Sequence, residues 1–343
     1  MSSKEEVAAP QLTLTPSTLQ GMALGGVFTP AVVRANQEPA VVTSIDFHHS
    51  GEFCASANAV GDIQLLNAHS GRRTNTIRCA KYGAELIRFT HHQEAVICSS
   101  RNSAGDHDVR YLSLYDNKYI GYFRGHQARV VALDMSPIDD TFISGAMDGC
   151  VRLWSLRAKN CAAMLRVGGG QQAGGSDFFP CCAFDPTGVC FAATTGTELR
   201  LFDVRNLRPG PFTTLALEHC VQTRSYPTSI EFSPDNSHIL VGTSDSALMR
   251  IDAFGKDAAQ HYTGHTGSGS ADPVLWRPCF TPDSKYVLAG SADGSVLVWD
   301  ASSTEQVAVW QGHAGPVHSV RWNPRVAMVA SGCTNVAFWV HPE

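Results

Sequence analysis

The residues most suggestive of chemistry are His126, Ser144 and Asp148, an imidazole, a hydroxyl and a carboxylate within 23 residues of chain. Such a set could run nucleophilic hydrolysis, with the histidine as base and the aspartate orienting it. Two features point elsewhere. Trp154 follows, with an indole N–H that the hydroxyl can accept, and the Gly125-His126 pair recurs as Gly264-His265 and Gly312-His313. A polar set that comes back along the chain is expected to tie loop to strand within each repeat, not to build one active site.

Other combinations fare worse. The pairs His48-His49 and His91-His92 lack a second pair of ligands at zinc spacing. Gly168, Gly170 and Ala173 satisfy G-x-G-x-x-A, but Gly174-Gly175-Ser176-Asp177 and Pro180 follow in place of a helix that could hold a pyrophosphate. There is no G-x-S-x-G elbow, Walker lysine motif or H-E-x-x-H. The expectation is a protein without catalytic residues, metal or cofactor.

The elements that position these residues repeat seven times. An apolar strand closes on a bulky anchor in Ser-Ile-Asp-Phe47, Leu-Ile-Arg-Phe89, Ala-Leu-Asp-Met135, Cys-Ala-Phe184, Ile-Glu-Phe232, Pro-Cys-Phe280 and Val-Arg-Trp322, at intervals of 42 to 49 residues. Pro137, Pro186, Pro234, Pro282 and Pro324 stand two positions after their anchors, where a fixed φ suits a turn between strands. A second apolar strand follows, then a third ending near Leu66, Tyr115, Trp154, Phe202, Ile251, Trp299 or Trp339. Turn words such as Asp148-Gly149 and Asp293-Gly294 precede alternating strands, and no stretch keeps a helical period. Four short strands per repeat predict an all-β, seven-bladed β-propeller.

One strand is missing from the count. After Trp339 only four residues remain, while residues 22–34 have no blade of their own. That segment is expected to complete the last blade and close the ring, sparing it an open apolar edge. Residues 1–21 are expected to be a disordered extension and 22–343 the propeller.

Composition narrows the class of partner. A net charge of −5 with a pI near 6.3 argues against direct binding of nucleic acid. Eleven cysteines without a Cys-x-x-Cys framework suit a reducing compartment. The uncharged stretch 7–33 is cut by Pro10, Pro16 and Pro30 and follows Glu5-Glu6, which argues against a secretion signal, and no run is long enough to span a membrane.

A docking site is expected on one rim of blade two. Its anchor-to-closure distance of 26, against the usual 19, implies about seven extra residues in Ser100–Asp108, beside Ala80–Arg88. Lys81, Tyr82, Glu85, Arg88, Arg101, Asp106 and Asp108 are the candidate partner-binding residues, an aromatic among mixed charges. The alternative is a solvated loop with a structural tyrosine. Lys81, Arg88 and Arg101 could also serve as charge-assisted donors to a phosphopeptide.

The set His126, Ser144, Asp148 and Trp154 resembles the structural tetrad of WD40 repeats. Blade six carries Ala289 where the serine is expected and blade seven Cys333 where the aspartate is, so those blades are expected to rely more on packing. Lys81-Tyr-Gly-Ala-Glu-Leu-Ile-Arg-Phe-Thr-His91, Val109-Arg-Tyr-Leu-Ser-Leu-Tyr-Asp-Asn-Lys-Tyr-Ile120 and Arg129-Val-Val-Ala-Leu-Asp-Met-Ser-Pro-Ile-Asp-Asp-Thr-Phe-Ile-Ser144 resemble the Swd-two/WDR-eighty-two family. So do Leu201-Phe-Asp-Val-Arg205 with Gly210-Pro-Phe212, Ile251-Asp-Ala-Phe254, Phe280-Thr-Pro-Asp-Ser284 and Cys333-Thr-Asn-Val-Ala-Phe-Trp339. The resemblance covers nearly all of residues 22–340.

It implies a nuclear scaffold, a monomeric propeller within a hetero-complex. One such assembly is a protein phosphatase-one complex with its targeting subunit PNUTS, acting on transcription termination and RNA polymerase II. The other is a COMPASS-type methyltransferase acting on lysine four of histone three. The phosphorylated polymerase tail is a further implied partner. The first assembly is placed slightly ahead, and the Gly168–Ser176 and Gly264–Pro273 loops mark a divergent member. A receptor of a cullin–RING ubiquitin ligase is the competing class, from the blade-closing words Trp154-Ser-Leu-Arg157 and Phe202-Asp-Val-Arg205.

Overall fold

All seven anchors terminate an innermost strand. In the computed structural model these strands are Val42–Phe47, Ile87–Phe89, Val130–Met135, Cys182–Phe184, Pro227–Phe232, Cys279–Phe280 and Ser319–Trp322. The structure describes residues 14–29, 40–79, 81–101, 105–168, 180–255, 257–267, 272 and 276–342. Each innermost strand opens a four-stranded antiparallel sheet, giving seven blades.

In six blades the strands follow one another outwards in chain order. The seventh takes its outer strand from the start of the chain. Ala23–Phe28 pairs antiparallel with Val336–Val340, setting Leu24 opposite Trp339 and Phe28 opposite Val336. The Phe28 ring then packs edge-on against Phe338 at 4.9 Å. The ring is closed as expected, so the apolar flank of the last blade is paired.

Apolar side chains fill the gaps between neighbouring sheets. Ile143 and Val151 of blade three, for example, pack with Phe184, Phe191 and Phe202 of blade four. Sheets this close need small residues where one blade crosses the next. A Cβ on Gly145 would lie 2.2 Å from the Pro180 carbonyl oxygen, and one on Gly290 equally close to that of Val317. The turns Asp148-Gly149 and Asp293-Gly294 set their glycines at φ 75° and 84°, a region closed to most side chains.

Two expectations change. Val96 in the second strand of blade two faces Leu112, as Phe142 faces Trp154 in blade three. Leu112 therefore closes that blade, while Tyr115 lies beyond the strand and is 77% exposed. An exposed turn aromatic had the appearance of a core residue, and the insertion shrinks from about seven residues to about four. The extension is also shorter than expected. Pro16–Gln20 forms a helical turn capped by the Thr15 hydroxyl, burying Leu14 and Leu19 against Trp310 of blade six. The Trp310 indole N–H donates to the Leu19 carbonyl at 2.8 Å. Five residues carry too little period to be legible as a helix, although Thr15-Pro16 is a capping signal. Residues 1–13 lie outside the described residues.

Candidate docking surface

In blade three the four tetrad residues meet inside the protein. The Trp154 indole N–H donates to Ser144 Oγ at 2.8 Å, Ser144 Oγ lies 2.7 Å from His126 Nε2, and His126 Nδ1 lies 3.0 Å from Asp148 Oδ2. The consistent proton order is indole to hydroxyl, hydroxyl to Nε2, and Nδ1–H to carboxylate. Burial opposes ionisation of Asp148, but His126 and the backbone N–H groups of Gln127 and Cys150 hold its pKa below the usual value. Ser144 has no exposed surface to offer a substrate, so the set ties the loop before the blade to its second and third strands.

Blade seven repeats this geometry with sulfur in place of a carboxylate. His313 Nδ1 lies 2.9 Å from Cys333 Sγ, His313 Nε2 lies 2.6 Å from Ser331 Oγ, and the Trp339 N–H donates to Ser331 at 2.7 Å. The expectation that this blade relies more on packing is therefore corrected. Blade six lacks the tetrad arrangement: His265 stacks on Trp276 and its Nε2 meets the Ser246 carbonyl, while Trp299 donates to the Thr263 carbonyl.

On the blade-two rim, Lys81 is exposed and its ammonium sits 4.7 Å over the Tyr82 ring. Tyr82 also stacks on the buried Arg110 guanidinium at 3.6 Å. Arg110 pairs with Asp106, and Asp108 with Arg124 at 3.3 Å. Arg101 reaches Glu85 at 3.2 Å. Residues 102–104, inside the expected insertion, lie outside the described residues, as do Gly170 and Ala173.

Two candidates leave the surface. Glu85 is only 2% exposed and accepts two bonds from Arg129, at 2.6 and 2.9 Å. Arg129 in turn pairs with Asp272 from the loop before blade six, so Glu85 anchors an ion network joining three parts of the ring. Arg88 stands in an innermost strand between Ile87 and Phe89, both packed in the core, and alternation turns it into the central channel. There its Nε donates to Asp134 at 3.2 Å. Arg88 is thus unavailable to a peptide on the rim. Arg110, Arg129 and Asp272 escaped sequence reasoning, though Arg110 inside an apolar strand just after Asp106 and Asp108 was a readable signal.

His48, His49 and His91 gather in the turns of blades one and two, with ring separations of 4.0 and 6.1 Å. Two of these rings are engaged: His48 Nδ1 with Ser50 and His91 Nε2 with the Asp139 carbonyl. Among the described residues no group of His, Cys, Asp or Glu is arranged to hold a metal ion, and no helix is long and apolar enough to cross a membrane.

Comparison with known proteins adds the lineage. The model of the WD domain, G-beta repeat, matches residues 117–155, 258–300 and 304–335. WD repeat-containing protein 82 of Drosophila melanogaster is 38% identical over 301 residues, which cover 87% of this chain and 90% of that one. The chain belongs to the Swd-two/WDR-eighty-two family. Set1 complex component swd2 of Schizosaccharomyces pombe is 34% identical over 62% of this chain and 57% of its own length. COMPASS component SWD2 of Saccharomyces cerevisiae is 33% identical over 62% of this chain and 61% of its own.

This member of the Swd-two/WDR-eighty-two family carries a further polar system in its channel. The residues before the anchors are, in order, Asp46, Arg88, Asp134, Ala183, Glu231, Cys279 and Arg321, and five of them (Arg88, Asp134, Ala183, Glu231 and Arg321) line one cavity in the channel. The three acids clamp neighbouring blades through the next anchor's backbone. Asp46 accepts from the Phe89 N–H at 2.7 Å, Asp134 from Phe184 at 2.9 Å and Glu231 from Phe280 at 3.2 Å. Arg321 pairs with Glu231 across two blades. Five charged residues at one position of seven apolar words were visible in the sequence and were passed over.

Proposed function

We propose that the chain is a non-catalytic nuclear scaffold subunit of a Set1/COMPASS-type histone methyltransferase assembly. The observation that carries this reading is the family membership together with the names of two relatives, a Set1 complex component and a COMPASS component. A closed ring with local polar ties supports it physically, because rigid blades hold irregular loops in fixed relation to a partner. Lys81, Tyr82, Arg101, Asp106 and Asp108 form the proposed docking rim, with Glu85 and Arg129 bracing it from beneath.

A PNUTS–protein phosphatase-one assembly stands as the second reading. It keeps its place because the fuller match is to WD repeat-containing protein 82, whose name specifies no complex. The ubiquitin-ligase reading loses ground, since Arg157 and Arg205 of its two words pair locally with Asp140 and Asp203.

Affinity purification of the tagged chain from nuclei, with mass spectrometry of what is retained, tests the assignment. A methyltransferase subunit supports it. Recovery of a phosphatase catalytic subunit without a methyltransferase moves the assignment to the second assembly, and a cullin adaptor alone refutes both.

A further inference from the structure

Among the described residues the central channel holds three arginines, and they are not equally matched. Arg88 has Asp134, and Arg321 has Glu231. Arg277, from the segment leading into the innermost strand of blade six, has no carboxylate within ion-pair distance among the described residues, although it is 8% exposed. One of its terminal nitrogens donates to the Val131 carbonyl across the ring at 3.0 Å. Its Nε has no partner among the described residues.

The electrostatics separates the two buried cations. Burial works against the charge on both. Glu231 and Asp46 overcome it for Arg321, whose pKa lies above the usual guanidinium value. For Arg277, burial and then Arg88 bring the pKa down to about 10. It is still a cation at neutral pH, and among the described residues only the Val131 carbonyl, with no paired carboxylate, offsets its loss of solvent.

Beside it lies a cavity of about 340 Å³, running from Arg277 to the turns of Pro137, Pro186 and Pro234. Ala183, standing where most blades carry a charged side chain, leaves room on that side. Three buried polar atoms without partners belong to residues lining this cavity: Nε of Arg277, Nε of Arg321 and Oγ of Ser229. Both Nε atoms are N–H donors and the hydroxyl can donate too, so what these three groups lack is an acceptor. The acids on its wall are already engaged. Asp134 and Glu231 each accept from a backbone N–H and an arginine, and Asp185 from Thr187 and Cys190.

We propose that the channel is a binding site for a small oxyanion, held by Arg277, Arg321 and Ser229. Guanidinium groups suit it because their planar N–H donors match the spacing of oxygens on a tetrahedral or carboxylate anion. The oxyanion supplies the missing countercharge and ties blades five, six and seven from the inside. Its entry is the mouth between the turns of blades three to five, on the face of the strand-one turns.

Inorganic phosphate is the probe. The full chain, exchanged into chloride buffer, is titrated calorimetrically with phosphate at constant ionic strength and pH 7. One saturable site is expected, weakened at least tenfold in Arg277→Gln and retained in a surface control, Arg157→Gln. Wild-type crystals soaked in selenate provide a readout that does not depend on the variant folding. An anomalous peak within hydrogen-bond distance of Arg277 Nε is expected. Equal phosphate binding by wild type and Arg277→Gln, or water alone at Arg277 in the selenate crystals, overturns the proposal.

Discussion

The sulfur of Cys333 sits 2.9 Å from Nδ1 of His313, in the place that a carboxylate oxygen of Asp148 holds 3.0 Å from Nδ1 of His126. The correspondence extends to the backbone. The Asn335 N–H donates to the sulfur as the Cys150 N–H donates to Asp148, each two residues along. A thiolate fills the carboxylate's role most closely, as a charged acceptor for the ring N–H.

Burial raises the Cys333 pKa, but the hydrogen bonds from His313 and Asn335 bring it down from 9.0 to about 7. A depressed acid stabilises the folded state fully above its unfolded pKa and loses that contribution as pH falls through the folded one. The melting-temperature gap between wild type and Cys333→Ala should therefore be widest near pH 9 and narrow on acidification through pH 7. Cys333→Asp should keep its advantage over the alanine variant across this window. A gap that ignores pH would show that the sulfur is a neutral thiol.

Ser144→Ala removes the shared partner of His126 and Trp154 while leaving their packing in place. Two buried groups lose a hydrogen bond, at a cost of about 1–3 kcal/mol for each group left unsatisfied. Urea unfolding should register the loss. Ala289→Ser in blade six should recover nothing comparable, since Trp299 already donates to the Thr263 carbonyl at 2.8 Å.

Glu231→Ala should be among the most destabilising channel substitutions. It takes away the acceptor for the Phe280 N–H and leaves Arg321 without its direct ion-pair partner. Breaking a largely buried pair from one side costs about 3 kcal/mol or more. Chemical denaturation should show that loss, with Glu231→Gln falling between the two because it can still accept from Phe280.

Gly145→Ala tests how closely the blades approach. Its Cβ would stand 2.2 Å from the Pro180 oxygen, a backbone atom with no rotamer to change, so blades three and four must separate. Overpacking of this kind costs about 1–3 kcal/mol. A variant as stable as wild type in denaturant would mean that the interface yields freely there.

The fold was legible because its signals are local and repeated. Every anchor from Phe47 to Trp322 marks a strand end, and the unpaired apolar segment near Leu24 announced the closing strand. The site was legible only where residue type fixed the partner, as in the Trp154–Ser144–His126–Asp148 chain. On the rim, sequence proximity stood in for exposure. Glu85 and Arg88 adjoin Tyr82 in the chain, yet the chain enters the innermost strand between them and carries Arg88 into the channel. Asp272 could not be joined to Arg129 from sequence, because 143 residues and half the ring separate them.

The docking rim is tested most directly by capture from nuclear extract with wild type and the Lys81→Glu, Arg101→Glu double variant, both confirmed as folded by their melting profiles. Wild type should retain a methyltransferase subunit, and the double variant should retain at least tenfold less. Equal recovery by both proteins would contradict the assignment of this rim, and a wild-type capture with neither a methyltransferase nor a phosphatase subunit would contradict the scaffold role itself.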